Sequence, residues 1–390
     1  MLNIERQKIE NIFFDFMRQK GVTVKPPLSF LPPESDQSIY FTNATIVNFK
    51  EDLLSGASQY KATKQKCLRL HHISKVLDDD YKIQWLSLFN MVGTVIPPHR
   101  LQQGKNDLIE LMTQRYGVPE DKLVFMVNSR DERLYRDIPP QMLIFDSHQQ
   151  KYYDWHFGMD NISGAGLTFG IKQNDGTIVD VGNLIEINDD KHILGYECAY
   201  GLECMQWAKE EKSSILDTYP IFRYADTIND EVIKTVDTAM SIAAVESVGV
   251  EPTNKTQRGQ ILKKLHRNLF YLAERNNLEN KQLVQVFNVL QKTEFDEPLN
   301  IDKIMTHYKQ SQSLIECQRS AFLKHKESLL KLYGDGIITA QEAEKKMMNW
   351  AEGKYYIDRH EREKYCSLPA SDNNLPTQNL LNIKKQANER

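Results

Sequence analysis

The pattern of apolar residues changes once along this chain, and that change limits the fold more than any single motif. Between about residue 38 and residue 240 the sequence falls into short β-branched or aromatic runs, SIYFT, KLVFMV, QMLIFD, GTIVDVGNLIEI and HILGYECAY, parted by Gly, Asn and Asp turns. From about 231 onward strand signals almost vanish. Apolar residues there recur at helical spacing over 231–248, 257–275, 280–292, 300–333 and 339–351. The order predicts an α+β protein: a mostly antiparallel sheet domain with helices around it, over residues 1–230, then an all-helical domain over 231–370. At the start, Ile9, Ile12, Phe13, Phe16 and Met17 predict an amphipathic helix over 4–20 that stops at Gly21, and the Pro pairs at 26–27 and 32–33 hold an extended connection. Residues 371–390, rich in Pro, Asn and Gln, bury too little apolar surface to order alone and read as a flexible tail.

A formal net charge of −4 gives no global pull toward nucleic acid, so any such surface has to be a local basic patch. Five cysteines, Cys67, Cys198, Cys204, Cys317 and Cys366, are odd in number and scattered, which argues against a disulfide framework or a cysteine zinc site and fits a reducing cytoplasm. The N-terminal MLNIERQKIENIFFDFMRQKG spreads charge through its apolar residues, and no later run approaches membrane-spanning length, so neither secretion nor membrane insertion is expected. His71 and His72 are adjacent, so on a strand they face opposite sides. The nearby DDD at 78–80 reads as a solvated turn, and no metal site is expected.

Three segments occur in a telling order. FTNATIVNFKEDLLSG at 41–56 is followed by KATKQKCLR at 61–69 and then by SLFNMVG at 87–93. Downstream come Trp155 and Gly158 ahead of SGAG, Asn183 in GNLI, YGLE at 200–203, and VEPTNKTQRGQILKKLHRNLFYLAERNN. Together, over roughly residues 4–275, they resemble the catalytic domain of alanyl-tRNA synthetase, a class II aminoacyl-tRNA synthetase. The resemblance implies an antiparallel sheet that binds ATP, with Mg²⁺, and a small amino acid such as alanine on one face. It also implies a helical domain that docks the tRNA acceptor stem, and a homodimer is common in the class.

Carried over residue by residue, the resemblance makes Arg69 the catalytic cation on the ATP α-phosphate and Phe89 the platform for adenine, with Glu203 and Cys204 at the remaining ATP-binding positions. Asn183 would hold the amino acid, Trp155 would wall its pocket, and Glu197, where the family generally has Asp, would pair with its ammonium. Lys75 stands near the place of a displaced loop lysine.

The chain also departs from the family. In AYGLECMQWA at 199–208, Cys204 stands where the family has an Arg that packs over adenine and meets the γ-phosphate. Asn90 replaces a Glu, Gly182 replaces a Trp, YKIQWL at 81–86 replaces an Arg-His-His run, and RLHHISK replaces an Arg-Ala-Gly-Gly-Lys segment. Losing one charge-assisted contact to a triphosphate costs about 1.5–3 kcal/mol, so ATP binding is expected to be weakened or rebuilt.

Along GQILKKLHRNLFYLAERN the apolar stripe Ile261, Leu262, Leu265, Leu269 and Leu272 leaves Lys263, Lys264, Arg267, Tyr271 and Arg275 on another face, which with Arg258 suits the phosphates of an acceptor stem. Within this length no editing domain is expected, nor is proofreading of a mischarged tRNA. The leading expectation is an alanyl-tRNA-synthetase-like ligase that activates an amino acid with ATP and passes it, without editing, to tRNA or to a small-molecule acceptor. Two others stand beside it: a catalytically silent tRNA-binding paralogue, and a transferase that uses aminoacyl-tRNA as donor.

Overall fold

The structure, a computed structural model, describes residues 4–353 apart from 35, 37, 57, 157–160, 190 and 226, together with 362 and 365–368. Gly158 and the 371–390 tail lie outside the described residues. The elements in order are α1 (Ile4–Gln19), β1 (Thr23–Val24), α2 (Ile46–Leu54), β2 (Lys61–Leu68), β3 (Leu88–Ile96), α3 (Leu101–Glu110), β4 (Leu123–Val127), α4 (Glu132–Tyr135), β5 (Leu143–Phe145), β6 (Asp154–His156), β7 (Ile162–Lys172), β8 (Ile178–Asp189), β9 (Ile193–Gly201), α5 (Leu202–Lys209), α6 (Asp230–Ser247), α7 (Gln257–Arg275), α8 (Asn280–Glu294), α9 (Ile301–Gly334) and α10 (Ala340–Gly353). The chain divides into two compact units, 1–311 and 312–390, and the division falls within α9.

In the first unit one sheet runs in the order β1-β2-β3-β9-β8-β7-β4-β5, with β6 paired to β7. All pairings are antiparallel except β1 with β2 and β4 with β5. Successive strand residues face opposite sides, and both sides are covered. Tyr196, Cys198 and Tyr200 of β9 join the large core with Phe13 of α1, Leu108 of α3 and Met205 of α5. Val95, Ile185 and Ile187 pack on the other face against Ile46, Val47, Phe49 and Leu53 of α2.

The α+β expectation holds. The run SIYFT is the exception, since residues 38–42 form no strand: Thr42 N–H donates to Phe30 O and Leu68 N–H to Thr42 O, isolated bonds in place of a ladder. β-Branched and aromatic content marks a chain that is half-buried, and here an irregular segment meets that condition without pairing.

Helix α6 is buried on all sides from Ile233 to Glu246, as a helix apolar around most of its circumference must be. It is tied to the sheet through Asp237, which accepts from Ser87 N–H at 2.5 Å and Ser87 Oγ–H at 2.8 Å. The second unit has its own small core of Phe322, Leu329, Met347, Ala351 and Cys366. Among the described residues, no helix is long and apolar enough to cross a membrane.

Candidate functional site

The α2 face of the sheet holds a cavity of about 290 Å³, whose wall includes Asn43, Arg69, Trp155, Asn183, Glu197 and Ala199. The strand register explains why residues far apart in sequence meet there: Gly93 of β3 lies across from Ala199 of β9, Ala199 from Asn183 of β8, and Asn183 from Thr168 of β7.

Glu197 is almost fully buried, at 4 % exposure. Its Oε1 accepts from Thr45 Oγ–H at 2.7 Å, and no described cation lies within ion-pair distance. Burial pushes its carboxyl up to about 7, against the opposing pull of the Thr45 hydrogen bond and of the Arg69 charge. Thr45 reaches this carboxylate only because residue 93 is glycine, where a Cβ would stand 2.6 Å from Thr45 Oγ1 and 3.0 Å from Ala199 Cβ.

Arg69 follows β2 directly and is held from several sides. Its N–H donates to Ser87 O, its Nε–H donates to Asn43 O at 2.9 Å, and its guanidinium sits 4.8 Å from the centre of the Phe89 ring. No described carboxylate pairs with it, so its charge is available to an anion in the cavity. Asn183 has its amide oriented by Nδ2 donation to Thr168 Oγ1 at 2.8 Å. Trp155 is half-buried on β6 and packs against the α2 cluster.

The expected nucleotide-side residues do not share this wall. Phe89 has one ring face under the Arg69 guanidinium. Glu203 is buried, accepting from Asn90 N–H at 3.0 Å and Asn90 Nδ2 at 2.7 Å, and its Oε1 lies 3.3 Å from Arg6 Nη1. Arg6 in turn pairs with Glu294 at 3.0 Å. Burial alone would disfavour the Arg6 charge, but Glu203 and Glu294 outweigh it and the guanidinium is held charged. Burial and the Glu203 carboxylate push the Cys204 thiol up to about 12, so it is neutral and presents no charge to a phosphate. Glu197 is the one acidic residue on the cavity wall among the described residues. Mg²⁺ finds no carboxylate pair on that wall.

The sequence family profile tRNA synthetases class II (A) matches residues 8–163. The mitochondrial alanine–tRNA ligase of Dictyostelium discoideum is 26 % identical over 255 residues, which is 62 % of this chain and 25 % of that protein. The cytoplasmic alanine–tRNA ligase of Caenorhabditis elegans is 24 % identical over 348 residues, 72 % of this chain and 35 % of its own. The alanine–tRNA ligase of Buchnera aphidicola is 23 % identical over 291 residues, with shares of 70 % and 31 %. Over residues 8–163 this chain is similar to class II tRNA synthetases, and over most of its length it is similar, at low identity, to alanine–tRNA ligases. It spans about a quarter to a third of the length of these relatives. A solved pyrrolysyl tRNA synthetase of Desulfitobacterium hafniense aligns with a TM-score of 0.32 at 11 % identity, over 54 % of this chain and 71 % of that one.

Departures from the family pattern have local physical consequences. At Gly182 a Cβ would stand 2.3 Å from Ala199 O, 2.4 Å from Tyr200 Cβ and 2.7 Å from Phe169 Cζ, so the family's Trp has no room in this packing. Asn90 faces the Glu203 carboxylate, where a second carboxylate would repel it. Residues 71–77 form turns and not the strand assumed for them. His72 is buried with Nδ1 2.7 Å from Tyr81 Oη and Nε2 3.0 Å from Trp85 O, both ring nitrogens being in use. Lys75 lies outside the cavity wall, its Nζ 5.8 Å from the Tyr81 ring centre.

The basic face expected on α7 is divided. Lys264 is exposed and Lys263 half-buried with Nζ donating to Asn254 Oδ1, while Arg258 Nε–H donates to Tyr40 O. Arg267 is half-buried. Tyr271 is buried, and Arg275 turns to Leu77 O at 2.9 Å and Asp79 at 3.5 Å. The helix periodicity is as read, but from Leu265 to Ala273 nearly every residue is buried, so the far end of the helix offers no open face.

Thr45, Gly93, Asn43, Arg6 and Asp237 were not singled out from the sequence. Thr45 and Asn43 stand inside the FTNATIVNFK segment itself. Arg6 carried only the signal of a charge in the amphipathic first helix.

Proposed function

We propose that the protein is an ATP-dependent aminoacyl ligase that takes a small amino acid into the 290 Å³ cavity. The observation that carries this reading is Glu197: a buried carboxylate with one oxygen held by Thr45, no cation of its own, and a place on the cavity wall beside Asn183. Such a group wants an ammonium, because a desolvated anion without a counter-charge is costly. An amino acid whose ammonium meets Glu197 would turn its carboxylate toward Arg69. Attack of that carboxylate on the ATP α-phosphate, with pyrophosphate leaving, builds charge where Arg69 can stabilise it. The activated acyl group then passes to a tRNA acceptor stem or to a small-molecule nucleophile. Amino-acid-dependent exchange of labelled pyrophosphate into ATP, run across the common amino acids, tests the reading. Exchange with one or a few small amino acids supports it, and silence with all of them removes it.

A second reading is supported by the engagement of Glu203 with Asn90 and Arg6 and by the neutral Cys204: an amino-acid- or tRNA-binding paralogue without ATP chemistry. It predicts amino-acid binding by calorimetry with no exchange.

A further inference from the structure

Away from the sheet cavity, α6, α7 and the part of α9 that lies in the first unit bring together side chains that no sequence motif connects. Glu246 is near the end of α6, His266 in the middle of α7 and His307 in the first part of α9. One ligand atom from each lies within 4.8 Å of the others. His266 Nε2 is 2.8 Å from Glu246 Oε1, and His307 Nδ1 is 3.1 Å from each oxygen of the same carboxylate. The two imidazoles meet nearly edge to face, at 78° and 6.0 Å between centres, so both direct a ring nitrogen at one point. The three side chains are 3 %, 1 % and 10 % exposed.

Two observations set this cluster apart from an ordinary His–Glu hydrogen bond. Glu246 Oε2 is buried and receives no hydrogen bond, although the residue is more than nine-tenths buried and the oxygen belongs to the carboxylate both histidines face. Outside the trio, His307 Nε2 lies 3.1 Å from Glu251 Oε2, and Glu251 is itself held by Lys303 Nζ at 2.5 Å. A carboxylate on the far nitrogen is the arrangement that fixes the tautomer and orientation of a metal-ligating histidine. We propose that Glu246, His266 and His307 bind a first-row divalent metal ion of the Zn²⁺ type, with Glu251 orienting His307 from outside. Two imidazoles and one carboxylate suit that ion class and leave one position for water. Ligand atoms around a tetrahedral ion at about 2.0–2.2 Å stand a little over 3 Å apart, so the cluster needs only a small opening to admit it. Bound there, the ion joins α6, α7 and α9 and offsets the buried negative charge, a structural role that does not depend on the sheet cavity.

The test uses the full chain, stripped with a chelator and dialysed. Zn²⁺ alone is titrated by calorimetry with thermal melts alongside, and Co²⁺ alone is followed by its visible spectrum, which reports low-coordinate nitrogen and oxygen ligation. The expected result is one equivalent bound, an intense Co²⁺ spectrum, and a melting temperature that rises with free Zn²⁺. Glu251→Ala weakens binding about 10- to 100-fold, and His307→Ala weakens it more. Far-UV circular dichroism of the stripped His307→Ala protein checks that it is folded. Since Glu246→Gln sits in a buried place, His307→Ala decides the matter should that variant fail to fold. Absence of uptake by the wild type, or His307→Ala and Glu251→Ala binding as the wild type does, overturns the site.

Discussion

Thr45 Oγ–H lies 2.7 Å from Glu197 Oε1 across the gap left by Gly93, and it is the one described hydrogen bond on that carboxylate. The pair sets the pH behaviour of the cavity. Burial raises the Glu197 carboxyl from an ordinary 4.5 to about 7, so between those values the folded chain holds a proton that the unfolded chain has released. Stability from this group is therefore full below about pH 4.5 and falls as pH rises through 7, by roughly 3 kcal/mol in all.

Glu197→Gln removes that cost at nearly constant volume. Its melting temperature should exceed the wild type's above pH 7 and match it near pH 5, read by melts across the pH range. In the proposed function amino-acid binding needs the ionised carboxylate, so wild-type affinity should climb about tenfold per pH unit below 7 and level off above. In Glu197→Gln affinity should be weak and flat with pH; a wild-type profile retained by the variant would reassign the ammonium site.

Arg69→Ala should abolish pyrophosphate exchange while changing stability by less than about 1.5 kcal/mol. The side chain loses its bonds to Asn43 O and to Met91 Sδ and its contact with Phe89 but leaves no described carboxylate unpaired. A large melting shift with exchange intact would make Arg69 a purely structural residue.

Arg6→Met should cost about 3–5 kcal/mol, because it leaves Glu203 and Glu294 buried together without their cation. Adding Glu294→Gln should restore part of that loss. Denaturant melts of the two variants measure both, and a double variant no more stable than Arg6→Met would place the defect in packing.

Lys263→Ala with Lys264→Ala should weaken tRNA binding equally across tRNA sequences and lower the slope of log affinity against log salt by about 2. The measurement is binding at several salt concentrations. An unchanged slope would move the acceptor-stem surface elsewhere or leave a small-molecule acceptor as the target.

Much of the fold was legible in the sequence, since helix and strand periods are local properties. The five helical segments after residue 230 appear within a few residues of where they were read, as do the strands carrying Asn183 and Glu197, while Arg69 comes directly after a strand. The segments that resemble the family also pointed to Arg69, Trp155, Asn183 and Glu197, and the structure brings these four to one cavity wall. Tertiary structure alone decided what each side chain faces. Whether Glu203 meets a nucleotide or Arg6 depends on a residue almost two hundred positions away, and its burial against Asn90 follows from the β3–α5 packing. Whether α7 shows a basic face depends on how many neighbours cover it, which its own period does not contain. The Glu246, His266 and His307 cluster is the extreme case: three helices, each amphipathic or buried in its own right, place their polar residues at one point only after they pack. Periodicity reports which side of an element is buried, and only packing in three dimensions reports against what.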